Sequence, residues 1–179
     1  MNFLDLPWEI ILIILKQYND YKYCIRLLMI CKQLYDNELL MKEIKDHFTE
    51  HRVDKYETQS WYFNGKYHRD NDKPAIIFMS GHQYWYLNGK YHREGDNPAI
   101  IKPNGYQAWY LNGKRHRENG PAIIYSNGEL RWYLNDKLHR ENDPAIIYPD
   151  GDKSWYLNDK RYTEKEYWEE IDKINSLKN

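Results

Sequence analysis

The sequence predicts an α+β protein: a three-helix head, an elongated antiparallel sheet of about five hairpin repeats, and a short C-terminal capping helix. Three observations lead there. Trp-Tyr pairs begin at Trp61, Trp85, Trp109, Trp132 and Trp155, spaced by 24, 24, 23 and 23 residues. Before residue 49 the apolar residues follow helical spacing instead. Charge changes sign at similar borders, with a net of −2 over residues 1–59, +3 over 60–162 and −2 over 163–179. The chain therefore divides into residues 1–48, a linker at 49–56, an array at 57–162 and a tail at 163–179.

The array is a repeat because each Trp-Tyr pair opens the same phrase, Trp-Tyr-x-Asn-Gly/Asp-Lys. In four copies x-His-Arg follows, then a polar stretch, then Pro-Ala-Ile-Ile starting at Pro74, Pro98, Pro121 and Pro144. The change of period lies between Arg and Pro, where four residues become three, so that stretch is expected to be a loop. Trp-Tyr-Leu and Ala-Ile-Ile-Tyr suit short strands. Asn64-Gly65, Asn88-Gly89 and Asn112-Gly113 are hairpin signals, while Asn135-Asp136 and Asn158-Asp159 fit that turn less well. A second turn follows Ile-Ile, as at Pro103-Asn104-Gly105. Two reversals per unit give about two antiparallel strands per unit in one continuous sheet. Alternation puts Trp109 and Leu111 on one face and Tyr110 on the other. Ordering one unit costs several times what burying one Trp returns, so the units must stabilise each other.

This unit resembles the MORN repeat, a β-hairpin repeat of similar length with an aromatic residue before Asn-Gly-Lys-x-His. Trp109-Tyr110-Leu111-Asn112-Gly113-Lys114-Arg115-His116 carries the likeness. The family continues with His-Gly-x-Gly, where this chain has His-Arg and a loop into Pro-Ala.

The head opens with Leu6-Pro7-x-Glu9-Ile10, followed by Ile10, Ile11, Ile14, Leu15 and Tyr18 at helical spacing. Asp5, Pro7 and Glu9 suit a first helical turn. A second apolar stretch contains Cys24, Leu27, Leu28, Ile30, Cys31 and Leu34. Asp36-Asn37 then caps an expected third helix over Glu38 to Phe48, with Leu39, Leu40, Met41 and Ile44 inward. This pattern, with Ile30-Cys31-Lys32, resembles an F-box over residues 4–48. The usual Trp after Cys-Lys is Leu34 here, and Tyr23-Cys24 replaces the usual Asp-Leu. The resemblance implies an adaptor that docks on a Skp-type subunit of a cullin–RING ubiquitin ligase, while the rest of the chain captures a target protein. Leu6, Pro7, Ile10, Ile14, Leu15, Ile30 and Cys31 are the implied docking residues. So small a head buries little surface by itself, which suits an obligate partner. The plainer alternative is a helical cap on the first edge of the sheet. An F-box joined to repeats, in a chain heavy in Asn, Lys, Ile and Tyr, is also similar to proteins of large DNA viruses.

Several function classes are disfavoured. The net charge of −1 gives no basic field for nucleic acid. The longest apolar run, Ile10 to Leu15, is far short of a bilayer span, and no polybasic run points to a membrane. Cys24 and Cys31 are the only cysteines, which favours a reducing compartment: the cytoplasm, or the host cytoplasm for a viral protein. No Gly-rich phosphate loop or nucleophile motif is present. His68, His92, His116 and His139 recur in phase, so they read as scaffold, not as catalysts or zinc ligands. Arg69, Arg93, Arg117 and Arg140 read as a solvated, salt-bridged edge. No cofactor and no metal are expected, and no enzyme activity. The five Trp are expected to form a structural ladder. A carbohydrate binder using Trp or Tyr as a stacking platform would instead need those rings exposed. In the tail, Thr163-x-x-Glu166 is a capping box, and Tyr167, Ile171 and Ile174 keep helical spacing, which suits a terminator for the last strand.

Overall fold

A computed structural model describes residues 38–178 together with Ile10 and Ile13. The first two expected helices lie outside the described residues, as do Leu6, Pro7, Ile14, Leu15, Ile30 and Cys31. Ile10 and Ile13 are 42% and 57% exposed. The third expected helix is present as α1, Glu38–Phe48, with Ile44 buried on its inner side.

The expected linker contains a strand. Thr49–Val53 forms β1, which pairs antiparallel with β2 (Gln59–Phe63) from Thr49↔Phe63 to Val53↔Gln59. Every side chain of β1 is exposed, so no alternation of apolar and polar residues marked it. Its pairing is made by backbone hydrogen bonds, to which His51 and Arg52 add contacts with the Trp61 and Tyr62 rings. Asp54 holds the turn that follows, its carboxylate accepting from the N–H groups of Tyr56 and Thr58 at 2.8 and 2.9 Å.

The array continues with β3 (Lys66–Tyr67), β4 (Ile76–Ile77), β5 (Gln83–Tyr84), β6 (Tyr86–Leu87), β7 (Lys90–Tyr91), β8 (Ile100–Ile101) and β9 (Gln107–Ala108). Then come β10 (Tyr110–Leu111), β11 (Lys114–Arg115), β12 (Ile123–Ile124), β13 (Leu130–Arg131), β14 (Tyr133–Leu134), β15 (Lys137–Leu138), β16 (Ile146–Ile147), β17 (Lys153–Leu157) and β18 (Lys160–Tyr162). One antiparallel sheet runs in the order β1-β2-β4-β5-β8-β9-β12-β13-β16-β17-β18, with β3 beside β2. The expected two strands per unit are therefore there, but each middle unit adds two more. Pairs β6-β7, β10-β11 and β14-β15 are separate hairpins beside the main sheet.

The chain leaves the main sheet at Trp. The N–H groups of Trp85, Trp109 and Trp132 still donate to the carbonyls of Ala99, Ala122 and Ala145, each at 2.8 Å. The next two residues pair instead with the strand across the Asn-Gly or Asn-Asp turn. These hairpins stack through their turns, with Gly89, Gly113, Asp136 and Asp159 N–H donating to Tyr67, Tyr91, Arg115 and Leu138 carbonyls of the preceding unit at 2.8–2.9 Å.

Register sorts the main sheet into two faces. Ile100 lies opposite both Tyr84 and Ala108, and Ile123 opposite both Ala108 and Arg131, so these share one face. Ile101, Gln107, Ile124 and Leu130 occupy the other. The first Ile of each pair is buried and the second only half-buried. Ala75, Ala99, Ala122 and Ala145 have no exposed surface, which explains a side chain no larger than a methyl at that phase.

The C-terminal helix α2, Glu164–Lys178, begins at the expected capping box. Thr163 N–H donates to the Glu166 carboxylate at 2.9 Å, and Glu166 N–H donates back to Thr163 Oγ1 at 3.3 Å. Tyr167 and Ile171 are buried against Trp155 and Leu157, with Ile174 at the margin. The helix terminates the array as its spacing predicts.

Candidate functional site

The residues that recur once per unit are the candidates, and their geometry shows what each does. Trp85, Trp109, Trp132 and Trp155 are only 5, 5, 9 and 7% exposed, and Trp61, at the first unit, is half-buried. A guanidinium lies over each of the first four rings: Arg69, Arg93, Arg117 and Arg140, at 3.4, 3.8, 3.9 and 3.9 Å from the ring centroids of Trp61, Trp85, Trp109 and Trp132. The same Arg side chains donate to Pro74, Pro98, Pro121 and Pro144 carbonyls at 3.1–3.3 Å, closing their own loops.

The arginines are not the solvated edge that the sequence suggested. Side chains of Arg93 and Arg117 are only 14 and 17% exposed. Each also clamps the loop one unit back. Arg93 donates to both Asp72 oxygens at 2.6 and 2.8 Å, and Arg117 to both Asp96 oxygens at 2.7 and 3.1 Å. The guanidinium beside each carboxyl holds Asp72 and Asp96 below the usual carboxylate range. The carbonyls of Asp72 and Asp96 also accept from the Trp85 and Trp109 indole N–H groups, at 3.1 and 2.9 Å. Asp72 and Asp96 lie three residues after Arg69 and Arg93, a place held by Gly120 in the loop after Arg117. Where the loop is one residue shorter, Arg140 pairs with Asp143 of its own loop at 2.8 Å.

The four in-phase histidines join successive units. Nδ1 of His68, His92, His116 and His139 accepts from the N–H of Asn88, Asn112, Asn135 and Asn158 of the next unit, at 3.1–3.3 Å. An accepting Nδ1 places the imidazole proton on Nε2. Nε2 faces a carboxylate two residues on: Asp70 at 2.9 Å, then Glu94, Glu118 and Glu141 at 3.5, 3.7 and 3.9 Å.

Asn-Asp turns prove to be the same turn as Asn-Gly. Asn135 and Asp136 have φ of 52 and 71°, against 52 and 85° at Asn112 and Gly113. An Asp gains something a Gly lacks, which offsets the left-handed backbone. Asp136 Oδ1 accepts from the Arg115 backbone N–H and Nε at 3.0 and 2.7 Å, and Asp159 Oδ1 accepts from Leu138 N–H at 2.7 Å. Burial pushes Asp136 up, but its hydrogen bonds with Arg115 outweigh this and hold it below the usual range.

A second ladder consists of Tyr62, Tyr67, Tyr86, Tyr91 and Tyr110, whose neighbouring rings lie 4.3–5.3 Å apart. It stops where Arg115 replaces Tyr and stacks on Tyr133 at 4.0 Å. Burial pushes the neighbouring Tyr106 up to about 12.

Among the described residues no group of three or more His, Cys, Asp or Glu could hold a metal ion. Among them, too, no helix is long and apolar enough to cross a membrane. Concavities recur between units instead. Three grooves of about 480, 380 and 440 Å³ are each lined by an Arg-to-loop segment, the next Trp and the next His. The clamping roles of Asp72, Asp96 and Asp136 were not legible in the sequence, where Asp136 reads only as a turn residue, because these roles depend on the neighbouring unit. No protein-family model, curated protein or solved structure matches the chain.

Proposed function

We propose that the protein is a non-enzymatic adaptor of a cullin–RING ubiquitin ligase in the cytoplasm, its F-box-like head docking on a Skp-type subunit and its MORN-like array holding a target protein. The observation that carries this reading is the opening phrase Leu6-Pro7-x-Glu9-Ile10 joined, through α1 and β1, to an array whose in-phase Trp, His and Arg each help to hold it together. Such an array acts by presenting a surface, not by chemistry. The exposure of Ile10 and Ile13 agrees with an apolar stripe left for a partner. A sugar-stacking role for the Trp ladder is disfavoured by the burial of its rings.

A second reading has its own support. Elements α1 and β1 close the first edge of the sheet: His51 stacks on Trp61 at 4.5 Å, Asn64 N–H donates to Phe48 carbonyl at 2.9 Å, and Lys45 pairs with Asp70. The head would then be a cap alone. Co-purification with a Skp-type subunit separates the two. Wild-type chain is expected to bind, and Leu6→Ala with Pro7→Ala to abolish binding while circular dichroism of the array is unchanged. No affinity of the wild type at micromolar concentration would defeat the adaptor reading and leave the cap.

A further inference from the structure

Three grooves repeat at the pitch of the sheet, and each carries the same chemistry. In the first, between Arg69 and Gly95, the groove's charged lining is Arg69, Asp70, Asp72, Arg93 and Glu94, a net of −1. The second and third repeat this net of −1 with Glu118 and Glu141 in the place of Glu94. The local sign is opposite to the net +3 of the whole array. Arg93 and Arg117 offer no free charge, since each is engaged by a Trp ring and an Asp. The Glu94 and Glu118 side chains remain 85 and 75% exposed. Leu111, at the mouth of the second groove, is 38% exposed and gives it an apolar wall.

A second observation points to a ligand in the same place. His92 lines the first groove with its side chain only 10% exposed, and its Nε2 has no hydrogen-bond partner. Its Nδ1 accepts from Asn112, so Nε2 carries the proton and is an unused donor. The carboxylate beside it, that of Glu94, sits at 3.5 Å on a solvent-exposed side chain. A group that draws the Glu94 carboxylate outward and supplies a carbonyl oxygen in its stead would satisfy both.

We propose that this edge of the array binds an extended cationic peptide segment carrying Lys or Arg at every third position. Its cations pair with Glu94, Glu118 and Glu141, and a backbone carbonyl accepts from His92 Nε2. The spacing follows from the fold. Each unit contributes two strands to the main sheet, so the grooves repeat every ~9.5 Å. Three residues of a polyproline II chain advance ~9.3 Å and complete one turn, so every third side chain faces the same way. A seven-residue segment thus spans the three glutamates. This deepens the adaptor reading, because it rests on the array being the target-binding part.

Fluorescence anisotropy with the full chain tests it, using labelled peptides of four Pro-Pro-Lys repeats, four Pro-Pro-Glu repeats, and alternating Pro-Lys of equal total charge. The first is expected to bind most tightly, with affinity falling as salt rises, and the acidic peptide not at all. Each of Glu94→Gln, Glu118→Gln and Glu141→Gln is expected to weaken binding by about two- to fivefold, and all three together by at least tenfold. Lys66→Gln with Lys90→Gln, which changes exposed charges outside the grooves' acidic row, is expected to leave binding unweakened, and an unchanged melting temperature shows that each variant is folded. The proposal is overturned if the triple Gln variant, folded, binds as the wild type does, if the alternating peptide binds as well as the triplet one, or if no peptide binds. No ligase subunit is present in this titration, so its failure is distinct from failure of head docking.

Discussion

Trp109 and Trp155 occupy the same phase of the repeat and are buried to nearly the same extent, yet they are covered by opposite chemistries. Trp109 is covered by the guanidinium of Arg117, which Asp96 and the Pro121 carbonyl hold in place. The fifth unit has no His-Arg pair, and Trp155 is covered by Tyr167 and Trp168 of α2, at 4.8 and 5.6 Å between ring centroids. Tyr167 also donates from its hydroxyl to the Arg140 carbonyl at 2.5 Å, tying the helix to the fourth unit's loop. An interior unit is thus finished by a cation that its neighbours neutralise. The last unit, with no successor, is finished by an apolar helix face. The Arg is therefore part of the stacking mechanism, and α2 is its terminal substitute.

Removing the indole that both units share should have the largest effect. Trp109→Ala should cost roughly 3–5 kcal/mol, by analogy with other large aromatic truncations. The same change at half-buried Trp61 should cost less, as read from paired thermal or urea melts. Tyr167→Ala, at a residue with no exposed surface, should cost about 3 kcal/mol and release α2, visible as lost helical circular dichroism. Arg117→Ala should cost about 1–2 kcal/mol, since it removes one ring contact and one bidentate pair at a half-open edge. Arg117→Lys should recover only part of this, because an ammonium cannot reproduce the two parallel bonds to Asp96.

The smallest effect is one of acid. Asp72 and Asp96 have pKa values lowered by Arg93 and Arg117, so their contribution is present above the unfolded carboxylate value of about 3.9 and is lost as pH falls through the folded values. Asp72→Asn with Asp96→Asn should therefore flatten the fall in stability below about pH 4. Unchanged acid sensitivity in that variant would mean the clamps contribute nothing.

Much of this was legible in the sequence. The period, both turns, the burial of Trp and the Thr163–Glu166 cap all follow from local signals: residue type, spacing and turn chemistry. What was not legible depends on the unit next door. Arg93 reads as a surface charge until Asp72, 21 residues earlier, is placed beside it. Asp136 reads as a poor turn residue until Arg115 is seen to fill its carboxylate. β1 was hidden for another reason, because an all-exposed strand has no hydrophobic pattern to read. Leu6, Pro7, Ile14, Leu15, Ile30 and Cys31 lie outside the described residues, and the docking role proposed for them rests on their motif.

That in-phase residues lock each unit to the next is best checked by amide hydrogen exchange at the turn tips. Asn88, Asn112, Asn135 and Asn158 sit in two-residue turns, and their N–H groups donate to His Nδ1 of the preceding unit. Asn104 and Asn127 sit in the turns at the other end of the strands and act through their side chains, which accept from Tyr106 and Glu129 N–H. The lock predicts that the first four amides exchange far more slowly than those of Asn104 and Asn127, and that His92→Phe accelerates Asn112 more than Asn158. Equal, fast exchange at all six would contradict it.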